Sequence, residues 1–223
     1  MTDSTPAPYL RPRLAASLIL TRTHSTGMDV LMGRRSARHV FMPNKYVFPG
    51  GRVDRADHTA PLAADLSEDV RTAMTRVIPE NRARAAAVAA VRETAEETGL
   101  FIARTGAFRS RHANWQPFRR EGLAPDLSGL QLITRAVTPP GRTRRFDTWF
   151  FTADASALAD ERAPTPSSEL EDVRWVPLEE ARTLDLPMVT HFVLSELDRV
   201  TPPEPQPVRW MRAVRGHMVV DPI

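Results

Sequence analysis

Three glutamates, Glu93, Glu96 and Glu97, fall within five consecutive positions of the chain. On a helix, spacings of three and four place all three carboxylates on one face. Like charges at that spacing cost a few tenths of a kcal/mol per pair. The cluster also stands just before Gly99, in the last turns of the helix, where the dipole disfavours anions. Arg92 alone is near enough to offset it. Three glutamates by themselves are most often a solvated acidic face. The alternative is a site for a hard divalent cation such as Mg²⁺, which takes several carboxylate oxygens and reverses the balance.

The elements that must position these groups can be read on either side. The alanine-rich run from about Arg82 to Thr98 has high helix propensity and Gly99 is its stop. Ahead of it, Leu14 to Thr21 and Asp29 to Arg34 read as neighbouring strands, and Tyr46 to Phe48 as a third, stopped by Pro49-Gly50-Gly51. Ser67 can cap a helix running towards Val77, with Glu68 and Asp69 in its first turn and Pro79 ending it. Beyond Gly99, Phe101 and Ile102 resume extended structure, and Trp115 and Phe118 suggest a helix packed on the core. Ile133 to Val137 and Phe146 to Ala153 read as paired strands, and Val173 to Val176 as another. Leu178 to Thr183 and Leu186 to Val200 read as helices, and Val208 to Val220 as a final strand-like run. Strands interleaved with helices argue for an α/β (α+β) class.

The 223 residues suit one elaborated domain, and 42% hydrophobic with 26% charged residues is ordinary globular composition. The net charge is +3, and Lys45 is the sole lysine among 30 basic residues, so the basic side chains are overwhelmingly arginine, which pairs bidentately with phosphate and carboxylate. A chain without cysteine has no disulfide, thiolate zinc site or cysteine nucleophile. The apolar run Leu14 to Leu20 is too short to span a bilayer, and residues 1–12 lack the apolar stretch of a signal peptide, so no membrane partner and a cytoplasmic location are expected. Near-neutral charge without an aromatic–basic motif argues against nucleic acid as partner.

The string Arg92-Glu93-Thr94-Ala95-Glu96-Glu97-Thr98-Gly99-Leu100 resembles the second half of the Nudix hydrolase signature GX5EX7REUXEEXGU, with Thr94 in place of the aliphatic U. Phe48-Pro49-Gly50-Gly51 resembles the family's strand-to-loop entry. Arg145 to Phe151, and Glu169 through Trp175-Val176-Pro177-Leu178, resemble later landmarks, so the likeness covers about residues 13–200. It implies a Nudix-type α/β/α sandwich with a mixed central sheet: a flexible arm over 1–12, a single domain over 13–223, an insertion over 54–81 inside the signature, and an extension over 201–223. The departure is the spacing: Arg92 follows Gly51 by 41 positions where the pattern has 14, so 27 residues are extra. Counted forward from Gly51 the signature's middle Glu falls on Asp57; counted back from Arg92 it falls on Arg84. Asp57 is read here as a loop aspartate, with a supporting-ligand role second to that. The insertion is either a lid or substrate wall, or inert.

By the resemblance, Glu93, Glu96 and Glu97 bind the Mg²⁺ or Mn²⁺ ions, with Glu97 as principal ligand and the Gly50 carbonyl as a further one. Glu93 is the candidate base, Arg92 positions the glutamates, and Glu169, six residues before Trp175, is a further catalytic candidate balanced against an ordinary loop carboxylate. Arg34, Arg35, Arg142, Arg144 and Arg145 are candidates for holding phosphates. The implied reaction is hydrolysis of a diphosphate bond in a nucleoside diphosphate linked to another moiety. The string Tyr46 to Asp54, the insertion, and Thr138-Pro139-Pro140 before Arg144 to Thr148 resemble the branch that includes peroxisomal coenzyme A and acyl-CoA diphosphatases, although this chain ends Asp221-Pro222-Ile223 without the peroxisomal tripeptide. Hydrolysis of ADP-ribose or a dinucleotide, and a non-catalytic Nudix-fold nucleotide-binding or regulatory protein, are the other two expectations. The costly intact glutamates count against the last. Family habit makes a homodimer the expected assembly.

Overall fold

Alternation of apolar side chains along the strands sorts them onto two faces, and a helical layer covers each. Arg13–His24 (β1) sends Ala16, Leu18 and Leu20 into one buried cluster and Ile19 into another. Gly27–Arg35 (β2) divides Leu31 from Val30 and Met32 in the same way. This is the period-two signature of a strand buried on both faces. The computed structural model describes residues 10–38, 42–106, 108–200 and 207–223, so most of the expected 1–12 arm lies outside the described residues.

Tyr46–Val47 (β3) and Gly50–Arg52 (β4) follow, then Glu68–Thr75 (α1) and the long Glu80–Thr98 (α2). Ala103–Thr105 (β5), Gln116–Glu121 (α3) and Leu123–Pro125 (β6) precede the central strands Gln131–Val137 (β7) and Phe146–Asp154 (β8). Leu170–Pro177 (β9), Leu178–Ala181 (α4) and Met188–Val200 (α5) lead to Arg209–Val214 (β10) and His217–Pro222 (β11). The main sheet runs β11-β10-β7-β8-β1-β2-β3, with β4 also on β1 and β9 also on β2. It is mixed: β1 with β8 and β7 with β10 are parallel, and the remaining pairs are antiparallel. β5 and β6 form a separate two-stranded sheet. The buried alanines of α2 join Trp149 and Phe151 on one face; Val193, Leu194 and Leu197 of α5 join Phe150 on the other. The α/β/α sandwich implied by the sequence is therefore what forms.

Alanine makes the helix layer thin where it must be. Ala85, Ala86, Ala87, Ala89 and Ala90 are all buried, so α2 lies close against the sheet. Gly99 ends it in the left-handed conformation (φ 71°), with its amide donating to the Ala95 carbonyl. Trp115 and Phe118 are fully buried and pack with ring centroids 5.1 Å apart.

One sequence expectation changes. The run Val208 to Val220 is not one strand but the hairpin β10–β11, turned at Arg215 (φ 49°) and Gly216 (φ 85°). Two central residues with positive φ are what a tight hairpin turn of the right twist requires. The inserted segment, expected as a lid or substrate wall or as inert, docks on the core, and Asp54 at its start lines the central cleft. Leu66, Val70, Met74 and Ile78 are buried and join the same core cluster as α2, each contributing about 1.5–3 kcal/mol if fully buried. Ser67 does stand at the start of α1, though its side chain makes no capping hydrogen bond.

Candidate active site

The last two turns of α2 face β4, and the approach is close because β4 begins with two glycines. A Cβ at Gly51 would collide with the Glu93 carboxyl group, and one at Gly50 with the backbone of Ala16 and Ser17 on β1. The Gly50 amide donates to Glu97 Oε2 at 2.9 Å.

Arg92 is the hub. Its side chain is 2% exposed, and all five N–H bonds are used. Nε and Nη2 grip Asp57 Oδ1 and Oδ2 at 2.8 and 3.0 Å; Nη1 donates to Glu93 Oε1 and Glu96 Oε2, both at 2.9 Å; Nη2 also reaches the Arg52 carbonyl at 3.0 Å. Lysine, with three donors and no fork, could not hold this set. Asp57 is thus not an ordinary loop aspartate. It is completely buried in the short 3-10 turn Arg55–Thr59, and its Oδ2 also accepts the Asp54 amide at 2.8 Å. Counting forward from Gly51 thus lands on the carboxylate that grips Arg92.

Electrostatics single out this end of α2. Burial pushes the Glu93 carboxyl up to about 7, with Glu96 and Glu169 adding repulsion against the opposing pull of Arg92. Glu97 is pushed well above the ordinary range, first by burial and then by Glu93, although the Gly50 amide and Arg35 pull the other way. Burial also raises Glu96 against the pull of Arg92. Burial works against the charge on Arg92, but Asp57, Glu93 and Glu96 outweigh it and keep the guanidinium firmly protonated. The local balance is one buried arginine amid a surplus of carboxylates.

These groups open onto a cleft of about 860 Å³. Asp54, Glu93, Glu96 and Glu169 supply carboxylates to its wall, and the cationic lining is Arg11, Arg13, Arg35, Arg52 and Arg144 beside Arg92 and Arg145. Among the sequence candidates, Glu93, Glu96, Glu169, Arg92, Gly50, Arg35, Arg144 and Arg145 come together here, and Glu97 sits behind Gly50. Arg34 does not line the cleft and instead pairs with Glu171 at 3.3 Å, and Arg142 is also absent from the lining. Arg145 is buried and donates to the carbonyls of Thr138 and Leu10 at 3.0 and 2.6 Å, which ties the approach to β1 onto the β7–β8 turn. Sequence reasoning missed Arg11 and Arg13, and also Asn114, whose Nδ2 donates to Asp54 Oδ2 at 2.6 Å across the cleft lining. No motif marks Asn114. No described residue between 55 and 91 lines the cleft.

Among the described residues, no three acidic or imidazole groups stand close enough to enclose a cation as they are: Glu93 and Glu96 are turned onto Arg92, and Glu97 onto Gly50. Their chemistry nonetheless suits one. The donors are hard carboxylate oxygens, and burial has left three of them with raised affinity for positive charge.

Comparison with known proteins agrees with this geometry. The NUDIX domain family matches residues 79–194, a span that begins at the foot of α2 and so leaves out the glycine half of the signature. The chain is 29% identical over 177 residues to putative nudix hydrolase 7 of Caenorhabditis elegans (74% of this chain, 51% of that protein). It is 26% identical over 200 residues to acyl-coenzyme A diphosphatase NUDT19 of Gallus gallus (65% of this chain, 52% of that protein). The chain thus spans about half the length of these relatives. A NUDIX hydrolase structure from Alicyclobacillus acidocaldarius superposes with a TM-score of 0.61 at 29% identity, covering 83% of this chain and 90% of the other. No helix among the described residues is long and apolar enough to cross a membrane. Together with the Arg92-centred carboxylates on α2, these matches show that the chain belongs to the NUDIX family.

Proposed function

We propose that the protein hydrolyses the diphosphate bond of a nucleotide derivative with Mg²⁺ or Mn²⁺, and that its substrates are of the coenzyme A or acyl-CoA type. One observation carries the reaction class: a surplus of carboxylates around the buried Arg92 opens onto a cleft whose further charged lining is six arginines with Asp54 and Glu169. A diphosphate with its counter-cations is complementary to both halves. The acyl-CoA reading is supported by the diphosphatase relative, and by the long interruption of the signature.

Glu93, Glu96 and Glu97 would hold the divalent ions, with the Gly50 carbonyl beside them. Bound there, such an ion neutralises phosphate charge and makes water more acidic. The chain's own groups do the rest. Arg92 fixes the directions of Glu93 and Glu96, which would otherwise repel each other. Glu93 and Glu169, both on the cleft wall, would orient the attacking water and accept its proton. Arg35 and Arg144 take the phosphate oxygens through charge-assisted hydrogen bonds. The enzyme would work in the cytoplasm, as a homodimer.

A substrate panel tests this reading with CoA, acyl-CoAs, ADP-ribose, NADH and dinucleoside polyphosphates, each with Mg²⁺ or Mn²⁺. CoA-type substrates should have the highest kcat/KM. Preference for ADP-ribose or a dinucleotide overturns the substrate class. Metal binding without turnover of any member overturns the reaction.

A further inference from the structure

A second hollow of about 460 Å³ adjoins the cleft and shares two of its residues, Arg13 and Arg52. Its other charged lining is His58 and Arg82. Four elements meet there: Arg13 opens β1, Arg52 ends β4, His58 lies in the buried aspartate's 3-10 turn, and Arg82 is in the first turn of α2. No carboxylate lines it.

Other arginines of the chain are paired with an acid, as Arg71 is with Glu80, Arg135 with Asp147 and Arg182 with Asp198, whereas the basic side chains of this hollow are exposed and face one another without a carboxylate. The side chains of Arg13, Arg52, His58 and Arg82 make no hydrogen bond or ion pair with any described residue. Arg52 is nevertheless held at its backbone, because its carbonyl accepts from Arg92. Grouped like charges without a counter-ion repel, and an anion reverses that balance. The arginine fork matches phosphate oxygens bidentately, and three forks suit a doubly charged phosphomonoester.

We propose that this hollow binds a phosphomonoester carried by the substrate at a distance from the hydrolysed diphosphate, so that the enzyme selects nucleotides bearing a separate ribose phosphate. The inference rests on the diphosphatase reading of the adjoining cleft. It also gives the inserted segment a role, since His58 lies near its start and Arg82 just beyond its end, and both line the hollow with Arg13 and Arg52.

The direct test needs no turnover. Calorimetry on the metal-free full chain compares adenosine 3′,5′-bisphosphate with adenosine 5′-monophosphate, for the parent, Arg82→Ala and His58→Ala. The parent should prefer the bisphosphate by roughly tenfold. Arg82→Ala should cut that preference about three- to tenfold while leaving the monophosphate's affinity unchanged, an effect discounted for an exposed site. No preference in the parent, or the same preference in both variants, overturns the proposal. So does saturation of the hollow by inorganic phosphate that leaves the bisphosphate's affinity untouched, which would mark a site for free phosphate alone. In kinetics, Arg82→Ala should raise KM for CoA but not for 3′-dephospho-CoA, with kcat unchanged for both. If neither compound is hydrolysed while the binding preference behaves as stated, the diphosphatase reading fails and the phosphate site stands.

Discussion

Two buried arginine–carboxylate networks lie on helices that cover opposite faces of the sheet. On α2, one buried arginine, Arg92, holds Asp57, Glu93 and Glu96, with Glu97 close behind. On α5, one buried carboxylate, Glu196, is 2% exposed and is held by two arginines: Arg209 of β10, whose Nε donates at 2.9 Å, and Arg199 at 3.6 Å. The chemistry is the same and the balance is opposite. The α5 network satisfies its buried charge and ties the C-terminal hairpin to the helix layer, so folding alone accounts for it. The α2 network leaves negative charge over, and a protein stable for its own sake has no use for that surplus. The difference identifies which network is waiting for a ligand.

The largest expected effect breaks the α2 hub. Arg92→Leu leaves Asp57 buried and unpaired and should cost about 3–5 kcal/mol in denaturant unfolding. Asp57→Leu added to it should recover much of the stability and none of the turnover. If the double variant is as unstable as the single one, Asp57 is not the partner that matters.

Next comes the contrast between Glu97→Gln and Glu196→Gln. Removing a surplus carboxylate should leave the metal-free protein as stable as the parent or more so, while lowering kcat by about a hundredfold or more, the scale of losing one strong electrostatic contribution. Removing the satisfied carboxylate should cost about 1–3 kcal/mol with kcat unchanged. Reversed outcomes would mean that charge balance does not separate function from folding.

Metal addition sharpens the same contrast. Divalent ion at a hundred times its Kd should stabilise the parent and Glu196→Gln by about 2.7 kcal/mol, as mass action requires, and Glu97→Gln by much less. Equal gains in all three would place the metal elsewhere.

The smallest expected effect concerns single arginines. Arg144→Ala, on the cleft, should raise KM a few-fold, whereas Arg34→Ala, away from the lining and paired with Glu171, should leave KM unchanged and shift stability by no more than about 0.5 kcal/mol. A larger effect at Arg34 would move the phosphate path.

Local pattern made much of this readable. The Glu93, Glu96 and Glu97 spacing placed three carboxylates on one helix face, and Gly99 marked its end. Runs such as Leu14 to Leu20 announced strands whose two faces are both buried. What stayed hidden depends on long-range packing. Asp57 is 35 positions from Arg92, and the two halves of the signature meet only through tertiary packing. Asn114 reaches Asp54 across 60 positions. The β10–β11 turn was missed because Arg215 adopts a positive φ that its side chain does not advertise. The parallel pairing of β1 with β8 has no local signal at all.

The most direct test of the central claim is metal-dependent hydrolysis of CoA by the parent, Glu97→Gln and Glu196→Gln, assayed side by side with Mn²⁺ under conditions where all three are folded. The account predicts turnover by the parent and Glu196→Gln, and a loss of about a hundredfold or more in Glu97→Gln. Near-normal turnover by Glu97→Gln would contradict it.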